Sequence, residues 1–324
     1  MTTRPHIAVI GAGAWGTALA CATAATGADV TLWMRNPVPR GTRTLPRLPD
    51  ITLPENVTIT GDFPRSADVA LLVTPVQTAR DVSTRLQTVL DPAVPVVTCC
   101  KGLEQATSLL PLDVLAETMP GRLTGVLSGP NFAIEVAKGL PAAATLACTD
   151  LALAQKLTAL LNTSAFRLYA SDDAAGVQLA GAAKNVIAIG AGITIGAGLG
   201  ENARAALITR AVAEIGRLAE ATGGRASTLA GLAGMGDLIL TCTGRGSRNY
   251  SVGLELGEGR PLADILASRT TVAEGVLTAP AMLTLARQHN VRVPIMETVT
   301  RLLNDGVSIE EARHLLLDRP PTRE

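Results

Sequence analysis

The side chains of this sequence that could do chemistry fall in a few short stretches. One is Ala182-Ala183-Lys184-Asn185-Val186-Ile187-Ala188-Ile189-Gly190-Ala191-Gly192, a lysine and an asparagine inside a run of small and aliphatic residues. On a helix the positions three and four away from Lys184 are Ala180, Gly181, Ile187 and Ala188, so its own face offers the ammonium no partner. Lys101, Lys138, Lys156 and Lys184 are the only lysines, and arginine is used everywhere else, so a lysine here is not a filler. Two readings stand. The lysine snorkels along apolar surface at a helix edge, or it is a desolvated ammonium facing a cleft, where burial lowers its pKa and lets it exchange a proton.

Two further constellations lie downstream. Gly234-Met235-Gly236-Asp237-Leu238-Ile239-Leu240-Thr241-Cys242 puts one carboxylate into an apolar run. A buried Asp needs a partner, and a lysine across a cleft would be one; an N-cap on the helix that starts there is the other reading. Ser247-Arg248-Asn249 opens a helix. A hydroxyl, a guanidinium, an amide and free N–H groups together suit a phosphate dianion, or else form a capped helix with a solvated arginine. Thr270-Thr271-Val272-Ala273-Glu274-Gly275 is a short polar loop with an acid and no mechanism of its own.

Near the N-terminus, Gly11-Ala12-Gly13-Ala14-Trp15-Gly16 stands between a strand, Ile7 to Ile10, and an alanine-rich helix, Thr17 to Ala25. In that context G-x-G-x-x-G is a dinucleotide fingerprint. The first glycine permits the turn, the second lets backbone approach a pyrophosphate, and the third lets helix and strand pack closely. A second strand, Val30 to Trp33, ends at Met34-Arg35-Asn36. An acid about twenty residues past the fingerprint would hold a free ribose 2′-OH. None stands there, and Arg35 suits a 2′-phosphate, which favours NADP(H) with NAD(H) possible. The next strands deliver Cys99-Cys100-Lys101-Gly102-Leu103-Glu104 and Leu127-Ser128-Gly129-Pro130-Asn131-Phe132-Ala133 to the carboxyl ends where open α/β sheets bind ligands. In the second of these an Asn cap and backbone N–H groups are expected to point at the cleft.

Composition removes other chemistries. The chain has 324 residues, 47% hydrophobic and 17% charged, with formal net charge zero, which suggests about two globular domains and gives no basic surplus for nucleic acid or an anionic membrane. No apolar stretch reaches the length of a membrane span without Gly, Pro or charge. Met1 to His6 lead straight into the first strand, so no signal peptide is expected. The five cysteines show no metal-ligand spacing and read as reduced, cytosolic thiols. His6, His289 and His314 lie outside any site-like motif, so no metal site is expected and proton transfer falls to a carboxylate or a lysine.

Strands and helices are expected to alternate up to Asp173: Val57 to Thr60, Val69 to Val73, a helix from Thr78 to Leu90, Val94 to Thr98, a strand ending at Leu127, Ala142 to Ala147, a helix from Leu151 to Leu161, and Phe166 to Tyr169. Residues 36 to 56, rich in Pro and Arg, read as a surface loop. Beyond Asp173 everything reads helical, including one helix from Ser227 to Cys242. The expected fold is an α/β N-terminal Rossmann-like dinucleotide-binding domain, 1–180, plus an all-α C-terminal substrate-binding domain, 181–324, with the Lys184 helix at the seam.

Together the fingerprint Gly11 to Ala20, Cys100 to Glu104, Leu127 to Ala133, Lys184-Asn185-Val186, Gly236-Asp237-Leu238 through Thr241-Cys242, Ser247-Arg248-Asn249 and Glu274-Gly275 resemble, in order and over nearly the whole chain, the motifs of bacterial NAD(P)-dependent glycerol-3-phosphate dehydrogenases. The resemblance implies reversible hydride transfer between nicotinamide and dihydroxyacetone phosphate or sn-glycerol 3-phosphate, feeding glycerophospholipid synthesis, in a cytoplasmic homodimer. It implies Lys184 as proton acceptor. It places Lys101, Gly129, Asn131, Asp237, Thr241, Ser247, Arg248 and Asn249 on the substrate. It places Gly11, Gly13, Ala14, Trp15, Gly16, Arg35, Lys101, Ala133, Arg248, Val272 and Glu274 on the cofactor. The chain departs from the family pattern in a shorter loop from Asn36 to Leu53 and in Asn131, where many members have Ser. Other two-domain dehydrogenases acting on a hydroxy acid or sugar acid, and a non-catalytic dinucleotide sensor, are the alternatives.

Overall fold

The computed structural model describes residues 4–244, 246–269 and 273–317. It divides into two compact units, one of residues 1–101 and 110–178 and one of residues 102–109 and 179–324.

The first unit is built on β1 (His6–Ile10), α1 (Ala14–Ala24), β2 (Asp29–Trp33), β3 (Thr44–Leu45), β4 (Leu48–Thr52), β5 (Val57–Thr60), β6 (Val69–Leu72), α2 (Val76–Gln87), β7 (Val96–Thr98), α3 (Pro111–Thr118), β8 (Thr124–Ser128), α4 (Ala133–Ala137), β9 (Ala142–Ala147), α5 (Leu151–Leu161) and β10 (Phe166–Ser171). Eight strands form one sheet in the order β10-β9-β8-β7-β6-β1-β2-β5, parallel except where β8 meets β9. Strand side chains alternate between faces. In β1, Ile7 and Val9 enter a core shared with Leu19 of α1, Val136 of α4 and Leu157 of α5, whereas Ala8 and Ile10 enter one shared with Val82 of α2 and Leu115 of α3. A strand covered on both faces has to be apolar throughout, which is why β1 reads as a continuous run. The order from β5 through β2, β1, β6 and β7 to β8 is doubly wound and reverses between β1 and β6, the place where such sheets take a dinucleotide.

Two expectations are corrected here. Residues 36–56 are not a bare loop, since β3 and β4 form an antiparallel hairpin with Leu45, Leu48 and Ile51 buried. The stretch from Ser227 to Cys242 is not one helix either. It runs through a 3₁₀ turn (Ala226–Ala230) and a π turn (Leu232–Gly236) before α-helix resumes at Asp237. The turn requires glycine at 234, where a side chain would put its Cβ 2.3 Å from the Leu229 carbonyl oxygen.

The boundary between the units falls inside α6 (Ala174–Gly196). This helix is long and apolar enough to cross a membrane by length and composition, but 89% of its apolar window is buried inside the protein. The second unit continues with α7 (Gly200–Ala221), α8 (Asp237–Thr243), α9 (Arg248–Gly257), α10 (Leu262–Ala267), α11 (Glu274–Gln288), α12 (Pro294–Asn304) and α13 (Ile309–Leu317). Glycines bring α6 and α9 into backbone contact. Added Cβ atoms on Gly192 and Gly196 would lie 2.2 and 2.1 Å from the carbonyls of Tyr250 and Leu254, and one on Gly253 would lie 2.0 Å from that of Ile189. The buried carboxylate of Glu214 in α7 accepts from the N–H of Ile295 at 2.9 Å and satisfies the start of α12.

Candidate active site

On the first unit the fingerprint glycines have the three separate reasons the motif predicts. Gly11 has φ +124°, a conformation side-chain-bearing residues avoid, and its N–H donates to the Trp33 carbonyl at 3.0 Å. Gly13 is exposed, and a Cβ there would meet nothing within 4 Å, so the surface is open to a ligand. On Gly16 a Cβ would lie 1.7 Å from the Gly11 oxygen, so only glycine lets α1 sit this close to the turn. The first turn of α1 has no capping side chain and no acid. Its N–H groups and the positive end of its dipole are thus offered to an anion, as a pyrophosphate requires. The indole Nε1 of Trp15 is buried without a hydrogen-bond partner among the described residues, and its ring meets Phe166 edge-on at 6.3 Å. Arg35 is exposed two residues beyond β2. These residues fit a dinucleotide.

Lys101 follows β7, and its Nζ donates to the Gly129 carbonyl at 3.1 Å. Gly129 itself is dictated by packing, since a Cβ would come within 2.7 Å of the Ala144 Cα. Asn131 is not the helix cap expected. The N-cap of α4 is Phe132, Ala133 is the first helical residue, and the Asn131 amide instead donates to the Ala143 carbonyl at 3.2 Å.

On the second unit the apolar face around Lys184 is as read, with Ala180, Ile187 and Ala188 all buried. The ammonium is nevertheless not bare. Its Nζ donates to Asp237 Oδ1 at 2.6 Å and to Thr241 Oγ1 at 3.0 Å, and Thr241 Oγ1 lies 3.3 Å from the same carboxylate oxygen. Asp237 is fully buried and the Lys184 side chain is 11% exposed. The partner comes from α8, one turn of which spaces Asp237 and Thr241 on one face. Of the two readings of Asp237 the ion pair is the one realised; the N-cap position belongs to Gly236, and no side chain caps α8. Next to this group the thiol of Cys242 is pushed up to about 12, chiefly by burial, with the Lys184 ammonium opposing and the Asp237 carboxylate adding.

At the start of α9, Ser247 is the N-cap and its Oγ accepts from the Tyr250 N–H at 3.2 Å. Arg248 is exposed and Asn249 buried. Glu274 opens α11 half-buried, while Val272 lies outside the described residues.

The family models of NAD-dependent glycerol-3-phosphate dehydrogenase match on both sides of this division, the N-terminal one over residues 6–154 and the C-terminal one over residues 173–314. The chain belongs to the NAD-dependent glycerol-3-phosphate dehydrogenase family. Among its relatives, glycerol-3-phosphate dehydrogenase [NAD(P)+] of Gluconobacter oxydans (strain 621H) is 97% identical over 100% of both chains. That of Parvibaculum lavamentivorans is 47% identical over 97% of this chain and 96% of its own. The crystal structure of glycerol-3-phosphate dehydrogenase from Coxiella burnetii has a TM-score of 0.91 at 37% identity, covering 98% of this chain and 99% of that one. A D-mandelate dehydrogenase, at 14% identity and a TM-score of 0.59 over 96% of this chain and 99% of that one, shares the fold alone.

Within this family framework, two hydroxyls went unread in the sequence. Thr74 Oγ1, just past β6, and Ser128 Oγ, ending β8, are buried without hydrogen-bond partners among the described residues. Both stand at carboxyl ends of strands beside the one that leads to Lys101, and that placement was the available signal.

Proposed function

We propose that this chain reduces dihydroxyacetone phosphate to sn-glycerol 3-phosphate, and runs the reverse reaction, with NADP(H) preferred over NAD(H). The enzyme is an NAD(P)-dependent oxidoreductase acting on a small-molecule substrate, and its product supplies glycerophospholipid synthesis. The observation that carries the reading is the buried Lys184–Asp237–Thr241 group. It holds a proton-bearing nitrogen in fixed geometry inside the unit that matches the family's C-terminal model.

When bound, the nicotinamide supplies or takes the hydride at substrate C2. Lys184 carries the proton. In reduction its ammonium stabilises the charge growing on the ketone oxygen and then protonates it, and in oxidation the amine takes that proton back. Asp237 and Thr241 orient Nζ and balance its charge, so little reorganisation is needed when the oxygen becomes anionic. Arg248 and the first N–H groups of α9 receive the substrate phosphate. We assign Lys101, Gly129 and Asn131 on the first unit to ligand contact. The cofactor is assigned to Gly11, Gly13, Ala14, Trp15 and Gly16 for the pyrophosphate side, Arg35 for the 2′-phosphate, and Ala133, Arg248, Val272 and Glu274 beyond. A cytoplasmic homodimer completes the proposal. Five free, buried cysteines suit a reducing compartment, and light scattering should give twice the 33.3 kDa chain mass.

The test is to mix the purified protein with NADPH and dihydroxyacetone phosphate and follow the absorbance of reduced nicotinamide, with unphosphorylated dihydroxyacetone as control. Oxidation with the phosphorylated ketone and almost none with the other supports the reading. Turnover of neither, or of a hydroxy acid instead, overturns it.

A further inference from the structure

The short helix α8 is rotated in a way that apolar burial alone would not choose. Asp237 is fully buried, while Ile239, two residues on, is 54% exposed. Burying a carboxylate and exposing an isoleucine are both unfavourable, so something other than hydrophobicity sets this rotation. The turn before the helix does so. The Gly236 N–H donates to the Gly231 carbonyl at 3.2 Å, and the Asp237 N–H donates to the Leu232 carbonyl, each reaching five residues back where an α-helix reaches four. The turn thus holds one residue more than an α turn, and one residue of helix corresponds to about 100° of rotation. Its upstream end is anchored by Leu229, which is 1% exposed. Gly234 lies against that anchor: a Cβ there would fall 2.3 Å from the Leu229 carbonyl oxygen and 2.5 Å from its Cα. Both are backbone atoms, so no change of rotamer makes room.

We propose that Gly234 is a positioning residue that acts through Asp237 on Lys184. Gly234 is itself buried and has no side chain to offer a ligand. Its bare backbone lets the turn close on Leu229 with the extra residue in place. That closure rotates α8 so that Asp237 and Thr241, one helical turn apart, both face the ammonium. With a side chain at 234 the turn has to open or lose a residue. A slip of one residue swings Asp237 by about 100°, away from a hydrogen bond of 2.6 Å. A misplacement of about 1 Å in a supporting group is enough to slow catalysis about a hundredfold. The inference rests on the roles given above to Lys184 and Asp237.

A double-mutant cycle with Asp237→Asn tests it. Hydride transfer from prebound NADPH to dihydroxyacetone phosphate is measured first in the unmutated protein and in Asp237→Asn. No transfer in the former, or an unchanged rate in the latter, would remove the underlying reading before Gly234 is touched. Gly234→Ala should then slow the step by about tenfold or more in the otherwise unmutated protein. In the Asp237→Asn background it should slow the step by less than about threefold, because no charge is left to misplace. NADPH affinity, followed by nucleotide fluorescence, should stay unchanged in all four proteins, since the fingerprint lies in the other unit. A glycine that serves stability alone predicts equal slowing in both backgrounds, or none in the folded protein, and either result would overturn the proposal. If Gly234→Ala does not fold, as judged by circular dichroism, Gly231→Ala replaces it in the cycle. Its Cβ meets the Thr228 carbonyl oxygen at 3.3 Å, a milder displacement at the residue that accepts from Gly236. A loss of about threefold confined to the Asp237 background is expected; equal loss in both backgrounds, or none, would overturn the proposal.

Discussion

Replacing Asp237 with alanine leaves the Lys184 ammonium, whose side chain is 11% exposed, with no carboxylate at 2.6 Å. At that distance and an effective dielectric of about 20, the gross attraction is about 6 kcal/mol. Desolvation of both charges offsets much of it, so the pair itself adds little net stability. Removing one partner is different, because the other charge stays buried, and such changes cost about 3–5 kcal/mol. Thr241, at 3.0 Å, remains as an acceptor and returns about 1 kcal/mol. The expected loss for Asp237→Ala is therefore about 2–4 kcal/mol, read as a lower urea midpoint with unchanged slope. Lys184→Met should cost a similar amount by taking the cation away from a fully buried carboxylate. The double variant Lys184→Met/Asp237→Leu should recover most of the loss, since no charge is left to bury. A single-variant loss under about 1 kcal/mol, or a double variant as unstable as the two losses added, would refute the claim that this pair is buried and mutually dependent.

Arg35→Asp should erase or invert the preference for NADPH by exchanging a phosphate partner for a repulsive charge, which the ratio of kcat/KM for the two cofactors measures; an unmutated enzyme indifferent to the cofactor would sink the idea. Gly16→Ala should abolish nucleotide binding in a calorimetric titration, or prevent folding of the first unit, because its methyl has only 1.7 Å to the Gly11 oxygen; normal NADPH affinity would show that the turn is not as tight as described. Burial pushes the thiols of Cys21 and Cys148 up from 9.0 to about 11, and that of Cys242 to about 12. In the unfolded chain these thiols ionise first, so their contribution is fully present below pH 9 and is lost as pH rises through about 11–12. The urea midpoint should fall over that window and a thiol reagent should label the native protein very slowly at neutral pH; rapid labelling would contradict the burial.

How much of this was legible in the sequence depended on range. The fingerprint was readable because its three glycines lie within six residues of one strand-to-helix turn. The doubly wound sheet followed from short apolar runs that only burial on both faces explains. The chemistry of Lys184 was half readable. Its apolar helix face was visible, but its partner arrives from a helix 53 residues on, and no local pattern links the two. The same holds for Asn249, whose hydrogen-bond partners lie 64 residues before it and 26 after. The β3–β4 hairpin was missed because strands of two and five residues are too short to carry a clear periodicity. The helix α3 was missed despite a fair signal, since Pro111 stands at its first turn, where proline is preorganised for a helix. Nor could spacing reveal that Gly102–Leu109, which directly follows Lys101, belongs with the helical unit.

The role proposed for Lys184 is to move the proton in an NAD(P)H-dependent reduction of dihydroxyacetone phosphate. Its most direct test is a single turnover of prebound NADPH with that ketone, in the unmutated enzyme and in Lys184→Met. Both proteins should bind NADPH alike, because the fingerprint lies in the other unit, and the variant should transfer hydride slower by about two or more orders of magnitude. Equal single-turnover rates in the two proteins would contradict it and move the proton to another group.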